Sequence, residues 1–216
     1  MAGISGPGAS ATMGRHMSRA TQHIRYLTRS AILLALAMSV QMLWLPQPIT
    51  GSAVNTVLYI TALSAPPAYG VTVGALTPIV ALWRGILAPA AAPLVPFIAV
   101  GNAILVVIFW FSQRMLVWLA GPADEKSARS GESPSLKLGQ KSRGWAWAAT
   151  SVVGVLLASG LKAGFLALAV ARLVHVPDKL AAAMQWPQLF TALTGGAVVL
   201  VLWPTLRSIL KSLEHR

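Results

Sequence analysis

The chain has 216 residues, 56% hydrophobic and only 10% charged, with a mean hydropathy of +0.67; a soluble domain carries about 25% charged residues, so the composition marks an integral membrane protein. Lys and Arg number 17 against 5 Asp and Glu, a net charge of +12, but they stand mostly at the ends of apolar runs, which points to topology and anionic headgroups rather than nucleic acid. There is no cysteine, which excludes disulfides, thiolate metal sites and thiol catalysis.

The first 20 residues are small and polar and lack the apolar core of a cleavable signal peptide. Gly14-Arg15-His16-Met17 resembles a cloning junction and Leu213–Arg216 could be vector-derived. Residues 1–24 are therefore read as a flexible N-terminal segment, partly of vector origin in this reading, ahead of one membrane domain over 25–212.

A transmembrane helix needs about 20 mostly apolar residues, and six segments qualify: Leu27–Leu45, Ser52–Ala65, Tyr69–Leu87, Leu94–Leu119, Trp145–Val174 and Trp186–Leu210. Ala31–Leu63 organises the chain. Two uncharged apolar runs are separated there by Leu45-Pro46-Gln47-Pro48-Ile49-Thr50-Gly51, which reads as a short loop because two prolines and a glycine oppose continuous helix. In the third segment, Gly70 and Gly74 form a small-xxx-small motif for close packing and Pro78 is expected to kink the helix. Ile86–Pro96 is a proline-stiffened apolar connection, and Ala120–Gly144 a hydrophilic, flexible linker. Basic residues concentrate before the first span, in that linker and after the sixth span. An even number of spans puts all three regions on one side, and the positive-inside bias makes it cytoplasmic. The expected fold is an all-α integral membrane protein, a six-transmembrane-helix bundle with both termini cytoplasmic.

Chemistry-bearing groups are few. No Asp or Glu lies inside an expected span, no nucleophile–base pair or phosphate-binding loop is visible, and metal ligands are sparse. The chain reads as a non-enzyme without metal or cofactor. Lys162, deep in the fifth segment, is the informative charge: an ammonium in a membrane helix costs about 2.5–3.5 kcal/mol on insertion scales. It either faces a cavity and an anionic or carbonyl-rich ligand, or snorkels and binds helix-end carbonyls. Asn55, Asn102 and Gln188 are uncharged polar residues that bridge helices or line a pocket with it. Gln188, Thr191 and Gly195 share one face of the sixth segment. Gln47 belongs to the polar break, where Gln41, Gln47, Thr50, Ser52 and Asn55 form a cluster read as facing a ligand. Trp44, Trp83, Trp145, Trp147, Trp186 and Trp203 stand near span ends, where an aromatic belt is the default; Trp44, Trp83 and Trp186 lie beside the loops that would cap an outer pocket, and Arg84 stands near the end of the third segment. The candidate substrate-binding set is Lys162, Asn55, Asn102, Gln188, Gln47, Trp44, Trp83 and Arg84.

Thr28-Arg29-Ser30-Ala31-Ile32-Leu33-Leu34-Ala35-Leu36-Ala37, then Leu45-Pro46-Gln47, Ile49-Thr50-Gly51 and Val54-Asn55, resembles the start of substrate-binding S components of energy-coupling factor transporters. Thr77-Pro78, Pro96 to Gly101-Asn102, and Lys162 in an apolar fifth helix are similar to a branch of that family of unknown specificity, and the likeness spans residues 25–210. The resemblance implies a multi-pass protein of the bacterial cytoplasmic membrane that captures a vitamin or related micronutrient from outside. Its partners would be a transmembrane coupling subunit and two ATPases. It further implies that Ala31 and Ala35, matching the family's Ala-x-x-x-Ala motif, contact the coupling subunit, and that Leu45–Ser52, Ile86–Pro96 and Val174–Gln185 build the pocket. Cobalt- and nickel-binding members need an N-terminal Met-His, from which Met1-Ala2 departs. A membrane scaffold without a small ligand is the alternative; a lipid-modifying enzyme would need a catalytic group that the sequence does not offer.

Overall fold

A computed structural model describes residues 7–43, 45–119 and 136–214. Within them the chain forms helices α1 (Pro7–Met42), α2 (Gln47–Ser64), α3 (Pro67–Trp83), α4 (Val95–Leu119), α5 (Leu136–Arg172), α6 (Asp178–Ala183) and α7 (Trp186–Glu214), with a 3₁₀ turn over Pro89–Leu94 leading into α4. The described residues contain no strand. Three stretches, Pro89–Met115, Trp147–Arg172 and Asp178–Leu206, are long and apolar enough to cross a membrane, and α3 is a shorter apolar helix.

Prolines set the helix starts. Pro46, Pro66 and Pro177 cap α2, α3 and α6 in the extended conformation that proline favours, and further prolines stand in the first turns of α2 and α3. The break expected as a loop over Leu45–Gly51 is therefore mostly helix. Pro46 accepts backbone bonds from Ile49 and Thr50, and Pro48 sits where a missing N–H costs nothing. α3 closes on Gly85, whose φ of 73° suits glycine, while Ile86 and Leu87 bond back to the Ala81 carbonyl. The helix runs through Pro78 to Trp83. At the N-terminus, where a flexible segment over 1–24 was expected, α1 begins at Pro7. Of the linker expected over 120–144, residues 136–144 open α5 and 120–135 lie outside the described residues.

The core runs through Leu58, Tyr59, Leu105, Val106, Phe109, Val155, Ala158, Ala192 and Val199. Tyr59 and Phe109 meet edge to face with ring centroids 4.7 Å apart. Glycines set the helix spacing. A Cβ on Gly70 would stand 2.7 Å from Val106, and one on Gly74 2.9 Å from the Asn102 Cβ, so the small-residue pair of α3 packs on α4. Trp203, expected in an interfacial belt, is instead buried in this core. The periphery is greasy: Ile32 on α1, Ile79 on α3, Phe111 on α4, Leu157 on α5 and Val201 on α7 are exposed. A water-soluble monomer does not expose large apolar surfaces of this kind on every side, and lipid is the solvent that suits them.

The Tyr59 hydroxyl lies 2.9 Å from the Ser159 hydroxyl inside the core. Tyr59→Phe is expected to lower stability by about 1 kcal/mol, read as a small drop in the melting temperature of the detergent-solubilised protein.

Candidate functional site

The sequence placed one cation in an apolar helix, and the fold surrounds it with amides. Lys162 is 2% exposed. Its Nζ donates to Asn55 Oδ1 at 2.6 Å and to Asn102 Oδ1 at 2.8 Å. Each amide spends its NH₂ in turn: Asn102 Nδ2 donates to the Gly74 carbonyl at 2.9 Å, and Asn55 Nδ2 to Thr191 Oγ1 at 3.3 Å. The Thr191 hydroxyl donates to the Gln188 carbonyl at 3.1 Å. One lysine thus ties together α2, α3, α4, α5 and α7. Gly101 packs against the same face of α5, where a Cβ would lie 3.3 Å from the Leu166 Cγ and in ordinary contact with the Lys162 Cγ at 3.5 Å. The arrangement neutralises no charge; it replaces water around the ammonium with aligned carbonyl dipoles, the solution open to a cation lacking a carboxylate.

The cluster sits toward the end of the bundle where α1 and α5 finish and α2, α4 and α7 begin. Asn55, Asn102 and Thr191 are each within about 12 Å of their helix starts at 1.5 Å per residue. At the same end a groove of about 910 Å³ is lined by Leu36 and Val40 of α1, by the α2 face from Gln47 to Ile60, and by the α7 face from Pro187 to Leu202. It forms because α1 and α7 both pack on α2 far more than on each other. Thr191 belongs to both features: it lines the groove and takes the Asn55 hydrogen bond.

The groove is apolar, with a row of hydroxyls and one amide. Ser52 donates to the Pro48 carbonyl at 2.6 Å and Thr56 to the Ser52 carbonyl at 2.8 Å. Their protons, like that of Thr191, are spent on backbone carbonyls, which leaves their oxygens as acceptors, the Thr191 oxygen already taking one hydrogen bond from Asn55. The Gln47 and Thr194 side chains also line the groove, and no protein hydrogen bond engages either among the described residues. No lining residue is charged.

Of the residues singled out from sequence, Lys162, Asn55 and Asn102 meet directly. Gln188 joins only through its backbone carbonyl, while its side chain donates to Met184 Sδ at 3.8 Å. Gln47 stands in the groove, away from the lysine cluster. Trp83, 81% exposed, and Arg84 lie at the end of α3 and line neither feature. Trp44 lies outside the described residues. Ala31 and Ala35 are exposed on α1, one turn apart. Ser52, from the polar cluster at the break, also lines the groove, whereas sequence reasoning missed Thr56 and Thr194; the signal was their spacing, with Ser52 and Thr56 four apart on α2 and Thr191, Thr194 and Val198 on one stripe of α7. No group of three or more metal-ligating side chains occurs among the described residues.

Trp83→Ala is expected to change stability by less than about 0.5 kcal/mol, as for an exposed side chain without partners. A measurable drop in melting temperature would place Trp83 in a contact the structure does not contain.

Comparison with protein-family models, with curated proteins and with solved structures finds no match to this chain.

Proposed function

We propose that this protein is the substrate-binding subunit of a multi-subunit importer of the energy-coupling factor type. In this reading six helices cross a bacterial cytoplasmic membrane with both termini inside, and the groove and lysine cluster lie in the outer half. The chain captures a small organic micronutrient there, performs no catalysis, and delivers its cargo through a coupling subunit driven by two separate ATPases. Exposed Ala31 and Ala35 on α1 give that subunit a close helix contact. The observation that carries the reading is the groove: its volume of about 910 Å³ is within the range of small-molecule sites, and Thr191 joins it to a buried polar network.

Lys162 then acts by positioning. Two of its three ammonium hydrogens are engaged by Asn55 and Asn102, so it holds α2 and α4 where they shape the groove instead of meeting the solute from a hollow. The same observation favours the second reading, a membrane scaffold whose polar residues serve only helix contacts. Native mass spectrometry of gently extracted protein separates them. The importer reading expects a small organic molecule retained at one per chain, and co-purification of a membrane subunit and ATPases from the native host. An empty protein with no thermal shift across a panel of vitamins would leave the scaffold.

A further inference from the structure

We infer that the groove takes an uncharged, mostly hydrocarbon molecule bearing a hydroxyl or N–H donor, and that the molecule reaches it sideways, from the lipid, between α1 and α7. The inference rests on the binding-subunit reading and names the class of ligand.

Three observations lead there. The first is charge: none of the lining residues carries one, and the nearby ammonium of Lys162 is occupied behind Asn55 and Asn102, 2% exposed and not part of the lining. A carboxylate or phosphate would find no counter-charge in the groove, and its desolvation would go unrepaid. The second is hydrogen-bond polarity. Ser52, Thr56 and Thr191 have given their protons to backbone carbonyls, so what they offer a ligand is acceptor oxygen, in full at Ser52 and Thr56 and in part at Thr191, which already accepts from Asn55. A ligand hydroxyl or N–H complements that row, whereas a carbonyl would find donors only at Gln47 and Thr194. Around the row the walls are hydrocarbon: Leu36, Val40, Ile60, Phe190, Val198 and Leu202.

The third observation is shape. From Pro48 to Ile60 the groove follows α2 for about 18 Å at 1.5 Å per residue. A single chain-like molecule of about that length suits the 910 Å³ present. Leu36, Ile49, Phe190 and Leu202, on both walls and at the mouth, are exposed on the apolar flank. The groove is thus open along its side, and a hydrocarbon-rich ligand partitioned into the bilayer arrives by that side.

The test uses photo-crosslinking in lipid nanodiscs with three diazirine probes of equal chain length: a fatty alcohol, the matching fatty acid at pH 8, and the matching alkane. The alcohol is expected to label peptides from Ile49–Ile60 and Phe190–Leu202 saturably, at least fivefold more than the acid or the alkane. Ala53→Trp, which fills the groove from α2, should cut that labelling about tenfold, and Thr56→Val should bring the alcohol down toward the alkane. Ala53 is half-buried at the groove wall, and a melting temperature near that of the parent confirms that the variant is folded; Thr56→Val supplies the independent check. Equal labelling by all three probes, or alcohol labelling spread evenly over the lipid-facing helices and indifferent to Ala53→Trp, overturns the inference. A charged, water-soluble molecule retained through purification and unaffected by Ala53→Trp overturns it too, while leaving the binding-subunit reading intact.

Discussion

Lys162→Met is expected to destabilise the protein by about 3 kcal/mol. The substitution keeps the length and bulk of the side chain and removes the ammonium. Two charge-assisted hydrogen bonds disappear, at 2.6 and 2.8 Å, each of a kind that contributes about 1.5–3 kcal/mol. The Asn55 and Asn102 carbonyl oxygens are then buried without donors. Against this stands relief from burying a charge, roughly 2.5–3.5 kcal/mol on insertion scales, so the net falls well short of the sum. At about 2–4 °C per kcal/mol for a chain of this size, the melting temperature in detergent should drop by roughly 6–12 °C. Combining Lys162→Met with Asn55→Leu and Asn102→Leu should recover part of the loss, because the orphaned carbonyls go with it. Recovery stays partial, since Asn102 also caps the Gly74 carbonyl and Asn55 also reaches Thr191. If Lys162→Met melts like the parent but no longer retains the solute, the ammonium serves the ligand and the positioning role is wrong.

Gly195→Ala should be at least as damaging, although it adds one methyl group. A Cβ there would lie 2.8 Å from the Ser52 carbonyl oxygen, 2.8 Å from the Thr56 nitrogen and 2.8 Å from the Asn55 Cβ. Two of those three atoms are backbone of α2 and cannot swing away. The helices must separate, which loosens the Asn55–Thr191 hydrogen bond and the Thr56 hydroxyl's approach to the Gly195 carbonyl at 3.3 Å. Overpacking of this kind costs about 1–3 kcal/mol before the polar contacts are counted, so a loss of 3 kcal/mol or more and a poor yield of monodisperse protein are expected. Gly160→Ala is the control. Nothing lies within 4 Å of a Cβ at Gly160, and alanine is the better helix former by up to about 1 kcal/mol. Size-exclusion profiles and melting curves of the two variants should diverge; equal behaviour would mean that α2 and α7 do not meet as described.

Much of the bundle was legible because lipid leaves a chain few choices. Long uncharged runs must be helical, and the fourth and sixth segments begin within a residue of α4 and α7. The lysine cluster was legible for a related reason: a lone cation in an apolar run must find oxygen, and Asn55 and Asn102 were the amides within reach. The prolines misled at Leu45–Gly51. Proline breaks a helix from inside but starts one from outside, and only the backbone at Pro46 decides which. Of the groove only Gln47 and Ser52, in the polar cluster at the break, were legible. The groove itself is a space left where two helices lean on a third, and no residue pattern within one helix records the distance to another. Gln188 shows the same limit: it shares a stripe with Thr191, yet its side chain turns toward Met184.

The seam between α2 and α7 has a consequence for biogenesis. Its partners, such as Asn55 and Thr191, stand 136 positions apart, and contacts that distant in sequence form late. Until α7 is made, Asn55 Nδ2 lacks its Thr191 partner and the α2 face that packs on Gly195 is uncovered. A nascent intermediate carrying α1 to α5 would therefore hold an amide NH₂ without its hydroxyl partner and an uncovered helix face, the kind of surface that invites chaperones or proteases. The seam closes, on that account, only when α7 docks, and the time to that event sets how long the newborn chain is exposed to quality control.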